Sequence, residues 1–157
     1  MRMMRLALMS LIALALAGCA AGGTAIYPPS IGQALTQLDV DALVRANPAQ
    51  PGEEVHIITV GRTASASYHV VIIPDRETPH VHQTHDGTIL VLRGTGTLYL
   101  GAERLAVHPG SLLVIPRNVP HYFVNAGPAP AVGYVVWSPP METADRVAAT
   151  MPESHAP

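Results

Sequence analysis

Hydrophobic positions follow two patterns along the chain, and the change between them falls near residue 54. In residues 31–46, leucines recur at intervals that suit a helix, with Asp39 as a candidate cap, so we expect one or two short helices. Beyond residue 54, short runs rich in β-branched residues are bounded by glycine or proline, which is typical of strands. We predict strands over nine segments: residues 54–60, 66–73, 80–83, 88–93, 97–100, 104–107, 111–115, 122–125 and 132–137.

Many short strands at close spacing indicate an all-β sandwich or barrel. A chain of 157 residues suggests one such domain, which we place at residues 54–138. Within it, Pro109-Gly110 fits the central positions of a type II turn, since proline presets φ and glycine accepts a positive φ. Residues 139–157 contain Pro139-Pro140 and are expected to form a loose tail with at most one helical turn.

The first 18 residues have the order of a secretory signal. Two arginines precede an apolar run over residues 6–17, which is too short to span a bilayer. The run ends in Leu16-Ala17-Gly18-Cys19, which resembles a bacterial lipobox, where the signal is cut before the cysteine and that cysteine becomes lipid-modified. Cys19 is the only cysteine, so it forms no internal disulfide. The alternative is ordinary secretory cleavage that leaves a free thiol.

The lipobox resemblance implies a protein of the cell envelope whose membrane partner is reached through a lipid on Cys19. Ala20 resembles the sorting default for the outer membrane, facing the periplasm. Residues 19–30 are small and contain glycine and proline, which predicts a flexible tether. Residues 31–53 then form the short helical segment and a loop before the β domain.

Composition excludes several classes of function. The formal net charge is −2, with nine arginines and no lysine. This mildly negative charge disfavours nucleic acid as a partner, which calls for a basic face. The absence of lysine excludes a Schiff-base mechanism on lysine. No Gly-x-Ser-x-Gly elbow is present, which argues against a serine hydrolase.

Candidate chemistry is concentrated in one stretch, where His80, His82 and His85 precede Asp86. A His-x-His pair on a strand points both imidazoles to one face, because side chains alternate with period 2. Two rings about 6–7 Å apart along the backbone can then converge on one metal ion. The alternative is a solvated loop that happens to be rich in histidine.

Two segments together resemble the motifs of the cupin family, whose members are small jelly-roll barrels. The first motif reads His80-Val81-His82, then Asp86-Gly87, and ends at Gly94. The second motif follows after fifteen residues and matches at four positions: Gly110, Pro116, His121 and Asn125. The resemblance covers about residues 68–139. It departs from the usual pattern at Pro74 and Asn118, where the motifs have glycine.

The resemblance implies that His80, His82 and His121 hold one divalent transition metal, with Fe, Mn, Zn, Ni and Cu all open. Some members, among them thiol dioxygenases, use three histidines without an acidic ligand. Three protein ligands leave positions free for water, dioxygen or a chelating substrate.

The usual acidic ligand has two alignments. Counted back from Gly94 it falls on Gly87, and counted forward from His82 it falls on Asp86. Asp86 is therefore a candidate fourth ligand or acid/base, and the alternatives are that it supports a ligand or faces solvent. His85 is a further candidate.

We expect a metal-dependent enzyme that acts on a small molecule, with oxygenase, isomerase and lyase chemistry all consistent. A non-catalytic binding module and a metal-free structural cupin are the alternatives, and the last predicts that the imidazoles do not converge. Barrels of this type often pair, so a homodimer is an open expectation. Arg93 and Arg117 either hold an acidic substrate or are solvated. Five aromatic residues either line the cavity or fill the core: Tyr99, Tyr122, Phe123, Tyr134 and Trp137.

Overall fold

The computed structural model describes residues 23–29, 36–141 and 145–152 of the chain. These residues form twelve short strands and one helix, which confirms the all-β fold class. The elements, in chain order, are β1 (Ala25–Ile26), β2 (Leu38–Asp39), α1 (Val40–Ala46), β3 (His56–Arg62), β4 (Ser67–Ile73), β5 (His80–His82), β6 (Asp86–Arg93), β7 (Gly96–Leu100), β8 (Glu103–Val107), β9 (Leu112–Ile115), β10 (His121–Asn125), β11 (Ala131–Ser138) and β12 (Arg146–Ala148).

Ten strands form two five-stranded antiparallel sheets. One sheet has the order β12-β5-β10-β7-β8 and the other the order β3-β4-β11-β6-β9. Between β4 and β11 the chain changes sheet at every connection except the β7–β8 hairpin. This alternation places the inner faces of the two sheets against each other, which gives the jelly-roll arrangement expected from the sequence.

The two sheets do not close into a continuous barrel in the described residues, because no ladder joins them. Each sheet keeps two edge strands. Residues 74–79 and 116–120 cross between the sheets, and each of these connections contains two prolines. Since proline has no backbone N–H, these connections cannot carry a continuous hydrogen-bond ladder from one sheet into the other.

The main hydrophobic core lies between the sheets. Both sheets contribute to it, because every strand turns alternate side chains inward. Each fully buried aliphatic side chain there stabilises the fold by about 1.5–3 kcal/mol. Its buried members are Val91, Leu98, Val107, Ile115, Phe123 and Ala131.

Helix α1 covers the outer face of the second sheet. Its Val40 is fully buried and packs with Val70 and Val132 of that sheet. The side chain of Asp39 accepts a hydrogen bond from the Ala42 N–H at 3.0 Å, so the predicted cap is confirmed. An ion pair between Arg93 and Asp41 also ties the helix to β6.

The prediction of a loose C-terminal tail is wrong for residues 145–152. Strand β12 pairs with β5, with Arg146 opposite His82, and so extends the first sheet. The Ala149 N–H donates to the Pro79 carbonyl at 3.1 Å, and Met151 is buried. All three residues of β12 are exposed. A strand without a buried face does not need alternating hydrophobic residues, so the sequence carries no signal for it.

Several predictions concern residues outside the described part of the chain. They include the signal over residues 1–18, the lipidation site Cys19 and, within the tether predicted over residues 19–30, residues 20–22 and 30. The lipid anchor therefore stays a prediction. Residues 25–26 of that tether form β1, which pairs with β2, and Ile26 is buried, so the prediction of a flexible tether is wrong there. Among the described residues, no helix has the length and apolar character needed to cross a bilayer.

Candidate metal centre

Three histidines meet on the inner face of the first sheet. Strands β5 and β10 are neighbours, and their register sets His121 directly opposite His80. His82 lies two residues further along β5 and so shares the inward face. All three side chains are buried, and one potential ligand nitrogen of each lies within 4.8 Å of the others. The hypothesis of a metal-free structural cupin predicts imidazoles that do not converge, and the observed arrangement differs from that prediction.

Each imidazole is held in one tautomer. Nδ1 of His80 donates to the Thr78 carbonyl and Nδ1 of His121 donates to the Val119 carbonyl, both at 2.9 Å. Nδ1 of His82 donates to the Asp145 carboxylate at 2.8 Å. Since these oxygens can only accept, Nδ1 carries the proton and Nε2 keeps its lone pair. Such partners also fix the ring orientation of metal-binding histidines.

Burial keeps the three rings neutral. It lowers the pKa of His80 to about 3 and that of His121 to about 4, and a neighbouring imidazole adds to the effect in both cases. Burial also lowers the pKa of His82, although Asp145 acts in the opposite direction. Neutral imidazole is the form that binds a metal. The donor set therefore fits a divalent transition metal at neutral pH.

Asp145 joins the C-terminal segment to this cluster, and no pattern in the sequence pointed to it. Its second carboxylate oxygen lies 2.7 Å from Nδ1 of His85 and accepts from the N–H and hydroxyl of Thr84. Burial acts to raise the pKa of Asp145, but the hydrogen bonds from Thr84, His82 and His85 outweigh it and lower the pKa overall. An ionised Asp145 is thus the partner that His82 meets.

Asp86 and His85 lie outside the converging group. The Asp86 carboxylate accepts from the backbone N–H of Arg117 at 2.9 Å and pairs with its guanidinium, which lowers the pKa of Asp86 to about 2. Its side chain is 43% exposed, which corresponds to the solvent-facing alternative. Both ring nitrogens of His85 contact oxygens, one of Asp145 and one of Pro140.

Gly87 is the position on which the usual acidic ligand falls when counted back from Gly94. The fold leaves no room for a side chain there. A Cβ on Gly87 would lie 2.5 Å from Cζ3 of Trp137. The Trp137 ring in turn packs on His82, with 4.2 Å between the ring centroids. The indole therefore takes the space beside the histidines into which a longer side chain at position 87 would point.

Glu77 is a buried carboxyl that sequence reasoning missed. Its Oε1 lies 3.9 Å from Nε2 of His80, and its Oε2 accepts from the Phe123 N–H at 3.1 Å. Burial raises the pKa of Glu77 to about 7, against the lowering effect of Arg146, 4.0 Å away. A carboxyl with this pKa can take up and release a proton at neutral pH. The only sequence signal was a carboxylate three residues before the His-x-His pair.

The histidines open onto a cavity of about 370 Å³ between the sheets. Of the five aromatic candidates, Phe123 and Trp137 line this cavity. Tyr99 and Tyr122 instead stack on each other at 4.5 Å, and Tyr134 packs in the cluster beneath α1.

Neither arginine singled out in the sequence lines the cavity, and each pairs with an acidic residue elsewhere. Arg93 pairs with Asp41 and Arg117 pairs with Asp86. Arg146 lines the cavity instead, together with Glu54, which lies 2.9 Å from its guanidinium.

Comparisons with known proteins identify the family of the chain. The family profile of the cupin domain matches residues 68–137. An uncharacterized protein of Aquifex aeolicus (strain VF5) is 32% identical over 109 residues, which cover 69% of this chain and 88% of that protein. The crystal structure of TT1209 from Thermus thermophilus has 28% identity and a TM-score of 0.55, over 66% of this chain and 96% of the other. KdgF from Halomonas sp. has 25% identity and a TM-score of 0.51, over 57% and 81% of the two chains. The profile match, the relative and the shared fold together show that the chain belongs to the cupin family.

Proposed function

We propose that this protein is a metal-dependent enzyme acting on a small molecule inside the cavity. The convergence of three neutral imidazoles with tied Nδ1 atoms is the observation that carries the proposal. A purely structural cluster has no need to leave three lone pairs facing one point. His80, His82 and His121 would hold the metal, and three protein ligands leave positions for a substrate.

Glu77 favours an enzyme over a binding module. An enzyme requires an oriented acid or base beside the substrate position, and Glu77 is a buried carboxyl that lines the same cavity as the histidines. A bound divalent metal would supply Lewis-acid activation of a substrate oxygen or of water. Glu77 would exchange a proton with the substrate at Oε1, the oxygen nearer His80. Oxygenase, isomerase and lyase reactions can all use a metal that activates an oxygen atom together with a carboxyl that exchanges a proton.

Metal analysis of the purified protein is the first test. We expect about one equivalent of a transition metal per chain, and none in His121→Ala. The second test follows the consumption of small molecules from a cell-envelope extract by mass spectrometry. Glu77→Gln should retain the metal and lose consumption, whereas Glu103→Gln, at an exposed position on β8, should retain both. A parent protein that binds metal and ligands but consumes nothing would instead identify a non-catalytic binding module.

We further propose that the domain is anchored in the cell envelope through a lipid on Cys19. The supporting observation is the lipobox-like Leu16-Ala17-Gly18-Cys19 at the end of the apolar run. The parent protein should partition into detergent on phase separation, and Cys19→Ser should remain in the aqueous phase. A Cys19→Ser protein that still partitions with lipid would refute the anchor without affecting the metal centre.

A further inference from the structure

The cavity runs between two edges of the sandwich that differ in chemistry. At one edge, Arg146 of β12 lies 2.9 Å from Glu54, which precedes β3, so the edge strands β12 and β3 come together there. At the other edge, Val107 of β8 and Ile115 of β9 belong to one buried cluster. All four residues line the cavity, so a ligand in it meets both environments.

The polar lining residues lie toward the edge formed by β12 and β3, which we call the polar end. The three histidines and Arg146 come from β12, β5 and β10, which are consecutive strands of the first sheet, and Asp145 directly precedes β12. Glu54 and Glu77 both lie within 4.0 Å of the Arg146 guanidinium. A divalent metal on the histidines would add its positive charge at this same end, and it would attract an oxygen of the ligand, charged or neutral.

The opposite end, which we call the inner end, presents hydrocarbon. Strands β7, β8 and β9 turn Leu98, Val107, Leu113 and Ile115 into the cavity. Among the described residues that line the cavity, none has a hydroxyl or amide side chain. Strand β7 pairs with β10 on one side and β8 on the other, so its backbone groups are engaged in ladders. A polar ligand group at the inner end would lose its hydrogen bonds to water without replacement.

The cavity opens beside the polar end. Ile57 of β3 is 46% exposed, and the side chains of Glu54 and Arg146 are partly exposed. At the inner end, Leu98 and Val107 are buried. A ligand that enters through this opening therefore meets the polar groups first and extends its far end toward β8 and β9.

From this separation we propose that the ligand is a small amphipathic molecule, with one oxygen-bearing end at the histidines and a hydrocarbon body that fills the inner end. Short aliphatic acids and oxo compounds without a second polar group belong to this class, whereas sugars do not. The volume of about 370 Å³ suits a ligand of small-molecule size. As the substrate class of the enzyme proposed above, the inference rests on that function for the position of the oxygen-bearing end. The preference for a hydrocarbon body follows from the lining alone.

Linear monocarboxylates from butanoate to octanoate are the probes, titrated into purified, zinc-loaded protein by calorimetry. The affinity should rise about fourfold with each methylene until the cavity is full. 6-Hydroxyhexanoate has the length and the carboxylate of heptanoate. It should bind at least about tenfold more weakly, because its hydroxyl would be buried without a partner. Equal affinities for these two compounds, or affinities that do not rise with chain length, would overturn the proposed class.

A substitution at the inner end tests where the hydrocarbon body lies. Val107→Thr keeps the shape of the side chain but adds a hydroxyl to the cavity wall. It should reduce the preference for heptanoate over 6-hydroxyhexanoate about threefold or more. Val114→Thr makes the same change at a position on β9 that is 59% exposed, and it should leave the preference unchanged. A preference that is the same in Val107→Thr and the parent would contradict the assigned position of the chain end.

Methyl NMR of the parent protein provides the same information without a substitution, should Val107→Thr fold poorly. Heptanoate should shift the methyl signals of Val107 and Ile115, which line the cavity, and leave those of Val114 in place. Val107 signals that do not respond to saturating heptanoate would place the chain end elsewhere and overturn the inference.

Cobalt(II) in place of zinc reports on the direction of the ligand. The protons beside the carboxylate of heptanoate should relax faster than those of its terminal methyl group, because paramagnetic relaxation falls steeply with distance from the metal. Faster relaxation of the methyl protons would reverse the proposed orientation and overturn it.

Zinc uptake, followed with a zinc-binding dye, distinguishes a failure of this inference from a failure of the proposed function. Zinc binding without any dependence on chain length would keep the metal centre and remove the ligand class. A protein that takes up no zinc would instead refute the metal enzyme. The monocarboxylate series on the metal-free protein would then still decide whether the inner end accepts a hydrocarbon body.

Discussion

Oδ1 of Asp145 lies 2.8 Å from Nδ1 of His82, although the two residues are 63 positions apart in the chain. Strand β12 creates this contact, because its pairing with β5 sets Arg146 opposite His82 and brings the preceding residue to the imidazole. The same carboxylate also holds Thr84 and His85 through its other oxygen. The C-terminal segment therefore completes the surroundings of the proposed metal ligand.

Removal of this carboxylate should weaken metal binding without removing a ligand. We expect Asp145→Ala to lower zinc affinity about tenfold to a hundredfold, the usual cost of losing a hydrogen-bond partner of a ligating histidine. Asp145→Asn should lose less, because its amide oxygen can still accept from Nδ1 of His82. Competition with a zinc-binding dye measures the affinities. Asp86→Ala is the matched control, since that carboxylate pairs with Arg117, and an equal loss in this variant would contradict the assignment.

Metal should also stabilise the fold. Zinc at a free concentration one hundred times its Kd adds about 2.7 kcal/mol to the free energy of unfolding. For a chain of this size that corresponds to a rise in melting temperature of about 5–10 °C. The rise should disappear in His82→Ala and persist in His56→Ala, whose imidazole pairs with Glu53 away from the cavity. A zinc-dependent rise of the same size in His82→Ala would remove this residue from the ligand set.

The close approach of Gly87 and Trp137 gives a third prediction. Gly87→Ala places a Cβ where only 2.5 Å separates it from the indole, so the ring must move and its contact with His82 must change. Overpacking of this kind costs about 1–3 kcal/mol, and the emission of the single tryptophan should shift. Chemical denaturation followed by fluorescence measures both effects.

Gly127→Ala is the control for this glycine substitution. The nearest atom to a Cβ at position 127 lies 3.6 Å away, which is an ordinary contact. We expect its stability and emission to match those of the parent protein. Equal stability of Gly87→Ala and the parent would show that the indole has room to move.

One part of the site could be predicted from local periodicity and another from the family resemblance. Alternation along a strand dictates that His80 and His82 share a face. The resemblance to the second cupin motif implied that His121 is their partner. The helix cap at Asp39 was likewise a local signal. None of these required knowledge of the distances between elements.

The parts that could not be predicted depend on contacts between distant segments. Glu77 lies in a connection bounded by prolines, and its burial arises because the Phe123 N–H of β10 binds it. Asp145 and Arg146 reach the site through a three-residue strand whose side chains are all exposed, so no hydrophobic pattern marks it. Asp86 had the right residue type near the right position, but its side chain pairs with Arg117 instead.

A buried histidine outside the metal centre should make the stability of the fold depend on pH. His69 is 3% exposed, with Nδ1 at 3.1 Å from the Thr59 hydroxyl and Nε2 at 2.8 Å from the Ser67 hydroxyl. Burial, together with Arg62, lowers the pKa of His69 in the folded protein below its ordinary value of 6.5. The unfolded chain therefore binds more protons once the pH falls below about 6.5, and stability is lost from there down to the folded pKa.

The measurement is the free energy of unfolding by urea between pH 7.5 and pH 5, in zinc-free protein. His69→Gln should be less stable than the parent at pH 7.5, because a packed, hydrogen-bonded ring is lost, but its stability should fall less steeply as the pH is lowered. Each tenfold difference in proton affinity between the two states adds about 1.4 kcal/mol to the parent's total loss of stability. His108→Gln, at an exposed position, is the control and should reproduce the parent's slope. Parallel curves for His69→Gln and the parent would mean that His69 takes up its proton without unfolding the sheet around it.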